Sequence, residues 1–427
     1  MSLMLSPFTY VLIYVAMWYL RLHEYPNSPI KFPILTVLQA IVLVLWIART
    51  PRRLDVPHVV LLPLLMLSMF ISAITNGWAG EAVAVFNTFV PTILCFFMIA
   101  GTADSLRKLN LLAWVIGLSV GIIGVHGVLE AQTGIGWSGS EVVEGSRITY
   151  VGLLNDPNDL AMALLMALPL QAYLLGTTRR WWLRALLLAC MVAAVWSLYL
   201  TNSRGGVLGL ASLLLVFSLR RYGVNRTLLA SPILIAALIA GSPARIDNMS
   251  AEEESAAGRV DAWFAGFDMF KERPLFGVGM GNFGDHNHLT AHNSYVLAMA
   301  ELGSVGYLLW LSLLVISALM IWRIITFAWP EDQTLPPDEL EDWRAHQRFA
   351  TALLYTLIAY CVTAFFLSRS YVPILYMTYG LCAAIFMIVR GRWPSVRPVL
   401  FGELWRRLLL LEIATIIGMR LVVRLLL

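Results

Sequence analysis

The stretch AHNSYVLAMAELGSVGYLLWLSLLVISALMIW, Ala291 to Trp322, decides what kind of protein this is. After Tyr295 it is apolar except for Glu301 and scattered serines and glycines. It exceeds the ~20 residues that an α-helix needs to cross the ~30 Å hydrocarbon layer of a bilayer. About fifty more polar residues (242–291) precede it. A helix that opens on His292 and Asn293 carries Glu301 about 13 Å deeper at 1.5 Å per residue. A carboxylate at that depth must pair or face a wet cavity.

The rest of the chain repeats the pattern. Of 427 residues, 59% are hydrophobic and 13% charged, whereas soluble domains are about a quarter charged. Apolar runs recur at 8–20, 33–48, 57–75, 82–101, 109–129, 160–175, 182–200, 206–219, 227–241, 293–322, 350–368 and 372–389. These predict an all-α polytopic membrane protein of about twelve transmembrane helices. A barrel would show period-two alternation instead. The first run lacks a small-residue cleavage site and is read as a retained helix. Cys95, Cys190, Cys361 and Cys382 all fall in apolar runs without metal-ligand spacing, so neither a disulfide framework nor a zinc site is expected.

Lysine and arginine orient the bundle. Twelve spans put both termini on one side, and twenty-one of the thirty basic residues fall on that side. They include Arg49, Arg107, Arg179, Arg220, Arg323 and seven arginines after Val389. The positive-inside rule then predicts cytoplasmic termini. The unusual polar motifs share the opposite, outer face: NDPND at 155–159, NSRGG at 202–206, AHNS at 291–294 and SRS at 368–370. Residues 1–400 read as one transmembrane domain, with a large outer loop at 242–291 between spans 9 and 10. Within that loop Val260, Trp263, Phe264, Phe267 and Phe270 recur at helical spacing, which predicts an amphipathic helix roofing the bundle or lying in the interface. Residues 401–427 are apolar but hold four arginines, and are read as a cytoplasmic amphipathic tail in preference to a poor thirteenth span.

Three motifs carry chemistry. His292 and Asn293 are followed by nine residues, Gly303, two residues and Gly306; NSRGG carries Arg204; GRVDAW carries Arg259. In this order the chain resembles the bacterial O-antigen ligases, part of a superfamily with the O-antigen polymerases and protein O-oligosaccharyltransferases. The resemblance covers residues 150–390 in motif order. It implies a GT-C-like helical fold and transfer of a glycan from undecaprenyl diphosphate to the lipid A-core oligosaccharide at the periplasmic face. No cofactor, metal or nucleic acid is implied, and membrane lipids are the surroundings.

The residues support that chemistry on physical grounds. A diphosphate leaving group gains negative charge as its glycosidic bond breaks, and guanidinium groups can neutralise it bidentately without a cation. Arg204 and Arg259 are the candidates for this role, and His292 is the candidate general base. Asn293, Asn155, Asp156, Asn158, Arg147 and Arg369 are candidate substrate contacts, with Arg21, His23 and Glu24 as further contacts on the same face. Asp156 and Asp159 also read as helix caps beside Pro157. The chief rival is a polymerase using the same donor; a transporter of lipid-linked sugar is a third reading, but its expected internal symmetry is not visible.

Overall fold

A computed structural model describes residues 6–49, 54–77, 79–144, 146–229, 231, 249–329 and 335–426. Among these, eight helices are long and apolar enough to cross a membrane, and two shorter apolar helices accompany them. The helices are α1 (Pro7–Leu20), α2 (Ile34–Ala48), α3 (His58–Thr75), α4 (Ala79–Thr102), α5 (Leu106–Thr133), α6 (Pro157–Thr177), α7 (Trp181–Leu200) and α8 (Arg204–Tyr222). They continue as α9 (Met249–Glu272), α10 (Phe283–His286), α11 (Ser294–Thr326), α12 (Pro337–Ala364), α13 (Pro373–Arg392) and α14 (Phe401–Leu426). The protein is thus an all-α multi-pass membrane protein. The expected ninth span, 227–241, lies almost wholly outside the described residues.

The centre of the bundle is α6, α11 and α13, whose side chains are buried over most of their length, and α12 packs on all three. Small residues set the closest packing. On α5 a Cβ at Gly124 would sit 2.7 Å from the Ala194 nitrogen, and one at Gly121 would sit 2.4 Å from Cys190 Sγ. Glycine therefore lets α7 lie backbone to backbone on α5, where Ser197 Oγ donates to the Gly124 carbonyl at 2.5 Å.

The helix of the opening stretch is not continuous. Gly303 has φ 62° and ψ −169°, splitting α11 into two half-helices. The freed groups are met by the glycine-rich connection after α9. Val278 N donates to the Ala300 carbonyl, Gly279 N to that of Glu301, Ser304 N to that of Pro274 and Val305 N to that of Leu275, all at 2.8–3.1 Å. Non-helical backbone at this depth is tolerable only when protein repairs its hydrogen bonds in this way.

That repair changes the picture of the large loop. Trp263 meets Ala291, Gly266 meets Val296, and Pro274 meets Ser304. Hence α9 runs beside the first half of α11, parallel to it, and its following segment plugs the break.

One further expectation changes. The span expected at 350–368 is a helix that starts at Pro337 and ends at Ala364, leaving residues 365–371 to turn across the site. The helix of the tail, α14, packs on α11 and α9.

Candidate active site

Helices α6, α8, α11 and α13 begin at one end of the bundle, as do α2 and α4. Of these, α6, α8 and α11 are each capped by a motif side chain. Asp156 Oδ1 accepts from Asn158 N (2.8 Å) and Asp159 N (3.3 Å). Ser203 Oγ accepts from Gly206 N at 3.2 Å. Asn293 Oδ1 accepts from Tyr295 N (2.9 Å) and Val296 N (3.1 Å). The small residues after Arg204 allow these ends to meet, since Gly205 lies against Phe366 and Gly206 against Ala161. Each helix N-terminus behaves as roughly half a positive charge, so this end is anion-receptive before any arginine is counted.

The arginines add to that field. Arg259 is half-buried on α9; its pKa is lowered by burial, and then by Arg204 and Arg147, with Asp156 opposing. Repulsion among three guanidinium groups held on three segments (the 134–150 loop, the start of α8 and α9) means that the fold gathers positive charge at one place. His292 sits in the same field. Its pKa is lowered by desolvation, then by Arg259, with Arg369 adding and Asp156 opposing. The ring is therefore neutral near pH 7 and can accept a proton. Its backbone is held at φ 44°, in the left-handed region that costs a non-glycine residue energy. Asn202, just before Ser203 and Arg204, has φ 50°.

Several expected contacts also hold the site together. Arg369 grips Asp159 with two nitrogens, Nε to Oδ1 at 2.5 Å and a second bond to Oδ2. Its remaining nitrogen donates to the Ser368 carbonyl. Asp159 is buried, so this pair latches α6 to the 365–371 turn, while Arg369 still lines the cavities beside it. The expectation that Asp159 caps α6 is replaced, because Asp156 does the capping. Arg147 donates to the Thr201 carbonyl (3.0 Å), Glu144 (2.9 Å) and Asn158 Oδ1 (3.2 Å), tying the 134–150 loop to α7 and α6. Asn293 is fully buried in its capping role. Asn155 is exposed at the end of a 3₁₀ turn, and Asp156 is exposed beside it. Arg21 pairs with Glu24 at 2.8 Å (Nε to Oε2), with His23 alongside.

Sequence reasoning missed the framework behind the site. Ser294 Oγ donates to the Leu367 carbonyl at 2.5 Å and accepts from Arg369 N at 2.9 Å, while Ser370 Oγ donates to the Ser294 carbonyl. A second buried cluster holds the 134–150 loop. His126 Nε2 meets Ser138 Oγ at 2.8 Å, and Glu130 Oε1 accepts from Thr149 N at 3.2 Å. All four side chains are buried, so the cluster positions the loop that carries Arg147. Their irregular spacing offers no motif to find them by.

Two adjoining cavities of about 470 and 400 Å³ open beside this end and share Thr88, Met280, Ser368, Arg369 and Tyr371. Glu301 lines the first, and its carboxylate accepts from Phe283 N at 3.4 Å. The described lining of neither cavity includes His292, Arg204 or Arg259. The pair abuts the charged cluster across the Arg369 latch.

Fold and site together define a multi-pass helical membrane protein with a cluster of arginines and a histidine at one end of its bundle. Within that class, residues 188–311 match the family described as O-antigen ligase. The matched segment holds Arg204, Arg259, His292, the broken half-helix and Gly306. No curated protein matches the chain.

Proposed function

We propose that this protein is an O-antigen ligase, transferring a glycan from undecaprenyl diphosphate to the lipid A-core oligosaccharide at the periplasmic face of the inner membrane. The observation that carries the reading is that Arg259 lies within the fields of Arg204 and Arg147 and itself acts on a neutral His292. The matched segment supports the same reaction class.

In this reading Arg204 and Arg259 hold the donor diphosphate, helped by the N-termini of α6, α8 and α11. The acceptor hydroxyl attacks the anomeric carbon as its proton passes to His292. The bond from that carbon to the phosphate oxygen breaks, and the diphosphate carries away the electron pair. One direct displacement inverts the anomeric centre. A guanidinium aimed at the developing charge contributes on the order of 3 kcal/mol, by analogy with oxyanion donors. A positioned base contributes roughly 10²–10⁴-fold. The two cavities offer an apolar-walled space next to the arginines for the polyprenyl chain.

The test supplies purified protein with undecaprenyl-diphosphate glycan and either lipid A-core or a second lipid-linked glycan. Product on lipid A-core supports the ligase. A ladder on the lipid carrier assigns polymerisation instead, and movement without bond formation assigns transport.

A further inference from the structure

We infer that α14 is a further membrane-spanning helix, which carries the C-terminus to the face of the active site and braces α9, the helix that bears Arg259. The geometry climbs along α11. At one level Arg323 donates to the Arg397 carbonyl at 3.1 Å, just before α14 begins. Sixteen residues back along α11, about 24 Å by helical rise, Tyr307 Oη donates to Thr415 Oγ1 at 3.2 Å. A helix lying on the membrane surface at the level of Arg323 cannot also reach Tyr307. The last eleven residues of α14 continue past Thr415 toward the site end, and the helix packs on α9 as well as α11. Its 26 residues measure about 39 Å, enough for the ~30 Å hydrocarbon layer.

The side chains sort as a rim helix requires. Leu408, Glu412 and Val423 are buried along one seam, with Thr415 half-buried between them. Leu410, Ile413, Ile417 and Leu421 stand exposed on the flank, where lipid would cover them. The carboxylate of Glu412 faces protein, as an ionisable group at depth must. Arg406 and Arg407 stand near one end and Arg420 and Arg424 near the other, where long side chains reach the interface. Moving Arg420 and Arg424 outward still leaves nineteen basic residues inside against eleven outside, so the orientation of the remaining bundle is unchanged. The strong likeness of the tail to a surface helix arises from its four arginines, which two ends of a short span accommodate equally well.

The crossing is independent of the proposed reaction; the bracing rests on it. Arg424→Cys and Arg406→Cys are each treated with a membrane-impermeant maleimide in sealed vesicles whose outside is the periplasmic face. The four native cysteines serve as the unreacted background, lying buried or half-buried within helices. Arg424→Cys is expected to react at once, and Arg406→Cys only after detergent. Reaction of both only after detergent overturns the crossing. Val423→Glu, which charges the seam near the far end, tests the brace. With Arg424→Cys labelling unchanged in that background, the donor KM is expected to rise, or kcat to fall, by about tenfold or more through displacement of Arg259. Wild-type kinetics for donor would overturn the brace alone, and absence of transfer by the parent protein would overturn the reaction without touching the labelling result.

Discussion

The Trp263 indole N–H donates to the Ala291 carbonyl at 2.8 Å, joining the helix that carries Arg259 to the residue before His292. The bond sets the distance between proposed base and proposed phosphate ligand without touching either. Trp263 also packs edge-on against Phe365, with ring centroids 5.3 Å apart. Trp263→Phe keeps an aromatic ring there and removes the donor. A neutral hydrogen bond is worth about 1 kcal/mol, so the protein is expected to stay folded. Transfer should fall by about tenfold, because small misplacements of catalytic groups are expensive in rate. Steady-state kinetics beside a thermal melt separate the two effects; an unaltered rate would remove the coupling between α9 and His292.

The field around His292 predicts the pH profile. A base must be deprotonated, and desolvation, Arg259 and Arg369 all lower its pKa from the ordinary 6.5. The acid limb of kcat/KM should therefore lie below pH 6.5, with activity rising as pH increases through it. Arg259→Gln removes one cause of the lowering, so the limb should move upward toward 6.5 even as the rate drops. His292→Ala should lose roughly 10²–10⁴-fold and abolish the limb. A limb that stays in place in Arg259→Gln would separate the two residues.

Much of this was readable from residue order, and the reasons it stopped are physical. Long apolar runs mark helices because a bilayer demands them, so eight helices long and apolar enough to cross lie among the described residues where hydropathy places them. Arg204, Arg259 and His292 are legible through NSRGG, GRVDAW and AHNS, because charged and titratable groups are rare at the edges of apolar runs. What escaped was tertiary. Nothing in ELGSVG distinguishes a glycine that packs from one that breaks a helix, because the difference is the partner strand 274–279 arriving from elsewhere. A sequence does not show that Asp159 pairs with Arg369 or that Arg147 donates to Asn158. Four arginines in an apolar helix suit a surface and a short span alike, and the proposed crossing rests on the tertiary contacts of Tyr307 and Arg323.

The latch between Arg369 and Asp159 makes a prediction about stability. Asp159 is about 1% exposed, and Arg369 supplies both of its carboxylate partners. Removing the arginine strands a buried acid, a loss on the order of 3 kcal/mol. Arg369→Leu is thus expected to melt well below the parent, and Asp159→Asn in the same chain should recover part of the loss because the stranded charge disappears. Simple additivity of the two substitutions in a double-mutant cycle would mean the pair is not coupled.

Gly303 gives the sharpest test of the broken helix. Its φ of 62° with ψ −169° lies in a region essentially reserved for glycine. A Cβ there would also meet Leu275 C and Phe276 N at 2.5 Å, and both are backbone atoms that cannot step aside. Gly303→Ala must therefore expel the 274–279 segment or straighten α11, and either result unpairs the hydrogen bonds that repair the break. Gly277→Ala should behave alike, since its Cβ would fall 2.3 Å from the Glu301 carbonyl carbon at φ 69°. Gly306 has ordinary helical geometry and meets mainly side chains, Leu302 and Ser68, so Gly306→Ala should be milder. Membrane yield and melting temperature order the three. If Gly303→Ala proved as stable as Gly306→Ala, the discontinuity would not be a fixed part of the fold, and the segment that leads from Arg259 to His292 would lose its anchor.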